Sequence, residues 1–303
     1  MSFIDPLLAR IDISELTQEQ RWEALDGHYD RLRKFLKMVA KGKKSLIVNG
    51  DAGMGKTEFT SEIIEEYAKT NKKKCGKNSG TLTAVELYVK LHKFRKEGEV
   101  FIIDDTDRIF DTVESVEVLK AALDTTTKNK SVNWGKAYST HLARHKCPTE
   151  FKYEGRVIII TNRNIRSAPT QTPTAKQAMI APLKSRMGYF PAGLPSNEWK
   201  IEALRMFAAG HQSKKDPTAS KYELRCRKDI ILHPKDKTTS AKNVNSPYSD
   251  QTKVLDEIIN FIAEHQDDLT EISFRTVFQA IGYRNEYPDD WGDMFIVDQY
   301  FSD

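Results

Sequence analysis

The sequence has little cysteine, no long apolar run and almost no excess of charge of either sign. Its three cysteines, Cys75, Cys147 and Cys226, stand far apart and match neither zinc-site nor redox spacing, so reduced thiols are the expectation. No segment approaches the roughly 18 uninterrupted apolar residues that cross a bilayer. The opening stretch MSFIDPLLARIDISEL is broken by Asp5, Pro6, Arg10 and Asp12, which excludes a signal-peptide apolar core there. A cytoplasmic location with no membrane partner follows as an expectation. With 47 basic and 43 acidic residues the net charge is only +4, so the sum neither demands nor excludes nucleic acid. No internal repeat shows at a fixed period.

What is present is a soluble globular pattern of 303 residues, 39% hydrophobic and 30% charged, enough for one large domain and a small one. Lysine and arginine do cluster, at RLRKFLKMVAKGKK (31–44), at NKKKCGKN (71–78) and between residues 128 and 152. A helix is predicted from about Gln18 to Val39, with Thr17 as N-cap and Gln20 completing a capping box. Three short apolar runs, SLIVNG (45–50), VFIIDDTD (100–107) and RVIIITNRN (156–164), read as strands covered on both faces. Helical patterns at about 56–69, 81–96 and 113–125 alternate with them, which argues for an α/β fold with a parallel sheet. From Leu194 onward the pattern turns helical, at about 197–209, 251–265 and 273–282. Between these lies a polar stretch, 211–251, read as a partly ordered insertion. The domain expectation is therefore 1–193 for the α/β core and 194–303 for a helical lid.

Three strand ends carry the chemistry. Gly50, Asp51, Ala52, Gly53, Met54, Gly55, Lys56 and Thr57 fit G-x-x-x-x-G-K-[ST] at every required position, between a predicted strand and a predicted helix that continues into Glu58. Glycines let backbone N–H groups turn inward as an anion nest at a helix N-terminus. Lys56 is then expected to reach the phosphates of ATP, and the Thr57 hydroxyl to ligate Mg2+. The strand VFIIDD ends in two carboxylates. Asp104 suits the magnesium carboxylate, and Asp105 stands where a water-orienting acid is needed, with Asp107 as a further acid that leaves the base open. Asn162 ends the third strand, where an amide can hydrogen-bond the attacking water. Within APLKSRMGYFPAG (181–193), Ser185 and Arg186 come at the end of a short helix, just before an expected fifth strand.

In this order, GDAGMGKT, FIIDD, IIITN, KSR and a helical lid, the motifs resemble the AAA+ ATPases. The resemblance implies a P-loop NTPase core with a five-stranded parallel sheet and a small C-terminal helical lid. It makes Asn162 a sensor of the γ-phosphate and Arg186 a finger reaching the nucleotide of a neighbouring subunit, with Arg163 and Arg166 as rivals. It also makes Arg275, in EISFRTVFQAIG (271–282), a second sensor on its own subunit's nucleotide. A homo-oligomer, in the form of a hexameric ring, is implied.

Residues 127–155 form a connection longer than the fold needs. Two alternating pieces, KSVNWGKAY and EFKYEGRV, flank a basic tip, which suggests an inserted β-hairpin. It resembles the hairpin placed before the sensor strand in hexameric DNA motors, and several phage-encoded AAA+ proteins share this layout. A phage origin would make the compartment the host cytoplasm. Lys130, Lys136, Arg144 and Lys146 are the candidate phosphate contacts, with Trp134 and Tyr138 as candidate stacking platforms for bases. An ATP-driven helicase or translocase acting in replication, recombination or packaging is thus the first reading. A helicase-loader or clamp-loader type remodeller, with a replication protein as partner, is the second. A small-molecule kinase needs neither the sensor amide nor the arginine before a fifth strand.

Overall fold

A computed structural model describes residues 4–124, 131–162, 175–216, 222–233, 236 and 249–300. The chain divides into two compact units. The first comprises Met1–Asp5, Arg31–Asp51 and Lys56–Gly193, and the second Pro6–Asp30, Ala52–Gly55 and Leu194–Asp303.

The first unit is built on a five-stranded parallel sheet. Its strands are β1 (Leu46–Asn49), β2 (Cys75–Ser79), β3 (Val100–Asp104), β6 (Arg156–Thr161) and β7 (Gly188–Pro191), in the spatial order β2-β3-β6-β1-β7. β1 pairs with β6 and β7 together, Val48 facing Ile160 on one side and Phe190 on the other. Because successive side chains point to opposite faces, each apolar strand feeds two cores. Phe101, Ile103, Val157 and Ile159 pack with α3 (Ala84–Lys93) and α4 (Val113–Ala122). Val100, Ile102, Ile158 and Ile160 pack with α2 (Lys56–Thr70) and with Leu32, Leu36 and Val39 of α1 (Gln18–Ala40). That is why these strands read as continuous Ile/Val runs rather than as alternation. Each such side chain taken fully out of water contributes about 1.5–3 kcal/mol. The arrangement is the α/β fold with a five-stranded parallel sheet that the sequence predicts.

The segment between α4 and β6 is an antiparallel pair, β4 (Ser131–Asn133) with β5 (Glu150–Lys152), Val132 facing Phe151. Its tip is not a simple turn. It carries a short helix, α5 (Thr140–Arg144), whose N-cap Ser139 accepts from the Leu142 N–H at 3.3 Å, and Leu142 is buried. A last helix of this unit, α6 (Ala175–Arg186), leads into β7.

The second unit holds the first half of α1 and four helices: α7 (Asn197–Ala208), α8 (Ser249–Glu264), α9 (Phe274–Glu286) and α10 (Trp291–Tyr300). Ile201, Leu204, Leu255, Ile258, Ile259, Ile262, Val277, Ile281 and Phe295 form its core. The capping box at the start of α1 is made as its spacing predicts: the Thr17 N–H donates to Gln20 Oε1 at 2.9 Å, and the Gln20 N–H donates to Thr17 Oγ1 at 3.3 Å. The expectation of an α/β core over residues 1–193 includes residues 6–30. They count with the second unit because α1 presents Asp26 and Tyr29 to its own partners there. The Tyr29 ring lies 5.3 Å from Phe207 and 5.5 Å from Tyr222, and Asp26 is bonded by Ser213 and Tyr222. Part of the 211–251 stretch is thereby ordered against α1, and it includes a 3-10 turn at Arg225–Asp229.

Candidate active site

Parallel strands deliver their carboxyl ends to one edge, and the three central neighbours β3, β6 and β1 end in Asp104, Thr161 and Asn49. The loop after β1 is shaped by glycine. A Cβ on Gly50 would stand 2.6 Å from the Gly193 amide nitrogen, so only glycine allows that backbone approach. Gly53 has φ +68°, in the left-handed region that side chains disfavour. Within the second unit the loop tip is fixed by the Phe274 N–H, which donates to the Gly53 carbonyl at 2.9 Å.

Five of the residues singled out in the sequence meet in the first unit. The buried Lys56 ammonium donates to the Gly50 carbonyl at 2.9 Å, to the Asp51 carbonyl, and to Asn162 Oδ1 at 2.9 Å. Asn162 Nδ2 in turn donates to Asp105 Oδ1 at 3.1 Å. The Thr57 hydroxyl donates to Asp104 Oδ1 at 2.8 Å, and Asp104 is buried. Asp105 holds φ +48°, a conformation an L-residue adopts only against strain, at the place where the strand ends and its carboxylate turns out. Its N–H remains tied to the Ile160 carbonyl at 3.2 Å.

The donor set suits Mg2+. This ion is held by one or two protein oxygens with phosphates and water completing about six positions. A hydroxyl and a carboxylate 2.8 Å apart, at Thr57 and Asp104, supply that number. Among the described residues no group of three or more His, Cys, Asp or Glu could hold a metal by itself. Sequence reasoning missed Ser79, whose hydroxyl lies 3.5 Å from Asp104 Oδ2. Its strand, Cys-Gly-Lys-Asn-Ser, is a half-exposed sheet edge with no apolar pattern to reveal it.

The remaining candidates lie apart from this cluster. Arg186 ends α6, and its Nη1 is buried without a hydrogen-bond partner among the described residues. Arg275, on α9 of the second unit, is 66% exposed and stands 3.9 Å from Glu271. In the inserted segment Tyr138, Arg144 and Lys146 are exposed, while Lys136 is ion-paired with Glu114. Trp134 is not available as an open stacking platform. It is half-buried, with its ring 5.3 Å from Tyr88, because β4 delivers it to the core beneath the hairpin. Lys130, Arg163 and Arg166 lie outside the described residues, as does the side chain of Asp107.

No protein-family profile matches the chain, and no curated protein matches it. Among solved structures, domain III of the Thermotoga maritima replication initiation protein DnaA is similar at 14% identity with a TM-score of 0.44, over 89% of this chain and 90% of that one.

Proposed function

We propose that this chain binds ATP with Mg2+ and hydrolyses it, acting as a ring-forming oligomer on DNA. The observation that carries the ATPase reading is the single constellation of Lys56, Thr57, Asp104, Asp105 and Asn162 at the ends of three adjacent strands. Bound Mg2+ would neutralise phosphate charge. Thr57 and Asp104 would hold the ion, and the Lys56 ammonium would meet the phosphates. Asp105 and Asn162 would orient the attacking water, with Asp105 the acid placed to take its proton, and Arg186 from a neighbouring copy would add positive charge where the γ-phosphoryl develops negative charge.

The DNA reading rests on the exposed Arg144, Lys146 and Tyr138 of the inserted hairpin. The inward Trp134 favours the second reading, a remodeller whose partner is a protein. One experiment separates them: ATP hydrolysis with and without single- and double-stranded DNA, on the wild type and on a Lys136/Arg144/Lys146 triple alanine variant. DNA stimulation in the wild type that is lost in the variant supports the DNA reading, and equal stimulation of both removes the hairpin from it. Hydrolysis absent from folded wild type refutes the whole proposal. Arg186→Ala should lose hydrolysis while keeping ATP binding, and a fully active variant would contradict the shared site.

A further inference from the structure

Two of the lysine-rich runs in the sequence have no part in the site above, and the fold brings both to the opposite edge of the sheet. Lys41, Lys43 and Lys44 follow α1 and precede β1. Lys72, Lys73 and Lys74 follow α2 and precede β2. Both helices lie on one face of the sheet, in one core cluster, and both end at the edge where the strands begin. The runs are joined across the surface by Glu97: its Cγ lies 3.9 Å from the Cβ position of Gly42, and its carbonyl accepts from Lys73 Nζ at 2.9 Å. From the start of β1 to the start of β2 is three strand spacings, about 14 Å.

Lys41, Lys43, Lys44, Lys72 and Lys74 are exposed, and no ion pair or hydrogen bond engages their ammonium groups among the described residues. Exposed acids near this edge include Glu97, Glu154 and Glu65, the last acting on the Cys75 thiol at the start of β2; Glu154 is already paired with Lys152 at 2.8 Å. Backbone conformation supplies a second, independent observation. Both helices end in the same motif. In α1 the Lys43 N–H reaches the Met38 carbonyl and the Gly42 N–H reaches Val39; in α2 the Lys73 N–H reaches Ala68 and the Lys72 N–H reaches Lys69. This motif needs a left-handed residue, normally glycine. α1 has Gly42 there, at φ +72°, whereas α2 has Lys72 at φ +51°. A lysine is thus held in a conformation that works against it, at the centre of a lysine run, and an observed outlier of this kind points to function.

We propose that this sheet edge binds the phosphate backbone of nucleic acid, as a surface separate from the hairpin. Lysines present compact point charges, without the planar fork that reads base edges, so the contact would be independent of sequence. A width of about 14 Å matches about four nucleotide steps of 3.4 Å. An anionic membrane would call for an apolar side chain to insert, and beside these lysines the only large exposed one among the described residues is Met38.

The test is binding of a DNA duplex as a function of salt. It compares the wild type, a Lys41/Lys43/Lys44/Lys72/Lys74 five-alanine variant, and an Arg144/Lys146 double-alanine variant. Each phosphate contact contributes about 0.9 to the slope of log affinity against log salt, so the five-alanine variant should lose up to about 4.5 from the slope and bind at least about ten-fold more weakly at 50 mM salt. Its ATP hydrolysis without DNA should be unchanged, so failure of the ATPase reading would show in that rate and failure of this inference in the slope. A wild-type slope retained in the five-alanine variant overturns the proposal. So does loss of binding to phosphatidylserine vesicles with DNA binding intact, or a loss of all DNA binding that the double-alanine variant alone produces.

Discussion

Replacing Asp26 by asparagine keeps the side chain's size and removes its charge, at a position with no exposed surface. Asp26 Oδ1 accepts from the Ser213 hydroxyl at 2.6 Å and the Tyr222 hydroxyl at 2.9 Å. Oδ2 accepts from the Lys214 and Lys215 backbone N–H groups at 2.9 and 3.1 Å. Burial alone pushes this carboxyl up, but the four donors outweigh it and hold it below the ordinary aspartate value. Asparagine can keep one acceptor; its NH2 group then faces two donors. Two hydrogen bonds to a charged acceptor are lost, at about 1.5–3 kcal/mol each. Water reaching the part-buried amides recovers some of that, leaving an expected loss of about 3 kcal/mol. Amide hydrogen exchange at Lys214 and Lys215 reads this directly, as exchange faster by a factor on the order of 100 at neutral pH. The pH dependence has a definite sign. A depressed folded pKa makes the contribution of Asp26 fully present above the ordinary aspartate value near 4, and lost as pH falls through the folded value. The gap between wild type and variant should therefore close on acidification below about pH 4. A gap under about 1 kcal/mol at pH 7, or one that acid leaves unchanged, would refute the reasoning.

Arg284, 1% exposed, binds Asp236 at 2.5 and 3.2 Å and Glu257 at 3.0 Å. Arg284→Ala should cost about 3–5 kcal/mol in urea unfolding of the second unit's transition, since it leaves Asp236 without its cation. Lys72→Gly should instead raise the stability of the first unit in urea unfolding by about 1 kcal/mol, because glycine removes the left-handed penalty at the residue that ends α2. Asp104→Asn should retain nucleotide binding by fluorescence titration and lose hydrolysis by about 100-fold or more, as it replaces the carboxylate that holds the Thr57 hydroxyl.

The parts of the fold legible in the sequence are those whose physics is local. β1, β3 and β6 are apolar on both faces because helices cover both, and α1 begins where Thr17 and Gln20 can exchange hydrogen bonds. The phosphate loop is legible for the same reason, since its glycines answer backbone requirements visible at fixed spacing. β2 was not, because an edge strand of Cys-Gly-Lys-Asn-Ser is stabilised by pairing with β3 rather than by its own pattern. α10, whose residues Met294 and Val297 are exposed, lacks a clean apolar stripe and was missed too. The inward turn of Trp134 depended on Tyr88, 46 positions earlier in the chain, and no local reading reaches that far. The same holds for Asp26, which looks like any acid on a helix until Ser213 and Tyr222 are beside it.

The amide of Asn162 offers its oxygen to an ammonium and its nitrogen to a carboxylate, a polarity that no other side chain of that length can copy. An aspartate there would set two carboxyl groups about 3 Å apart, and two such like charges repel and raise one carboxyl's pKa. The asparagine keeps the middle position uncharged while bonding to both neighbours, Lys56 on one side and Asp105 on the other. The site's two opposite charges are separated by a group that satisfies both and neutralises neither.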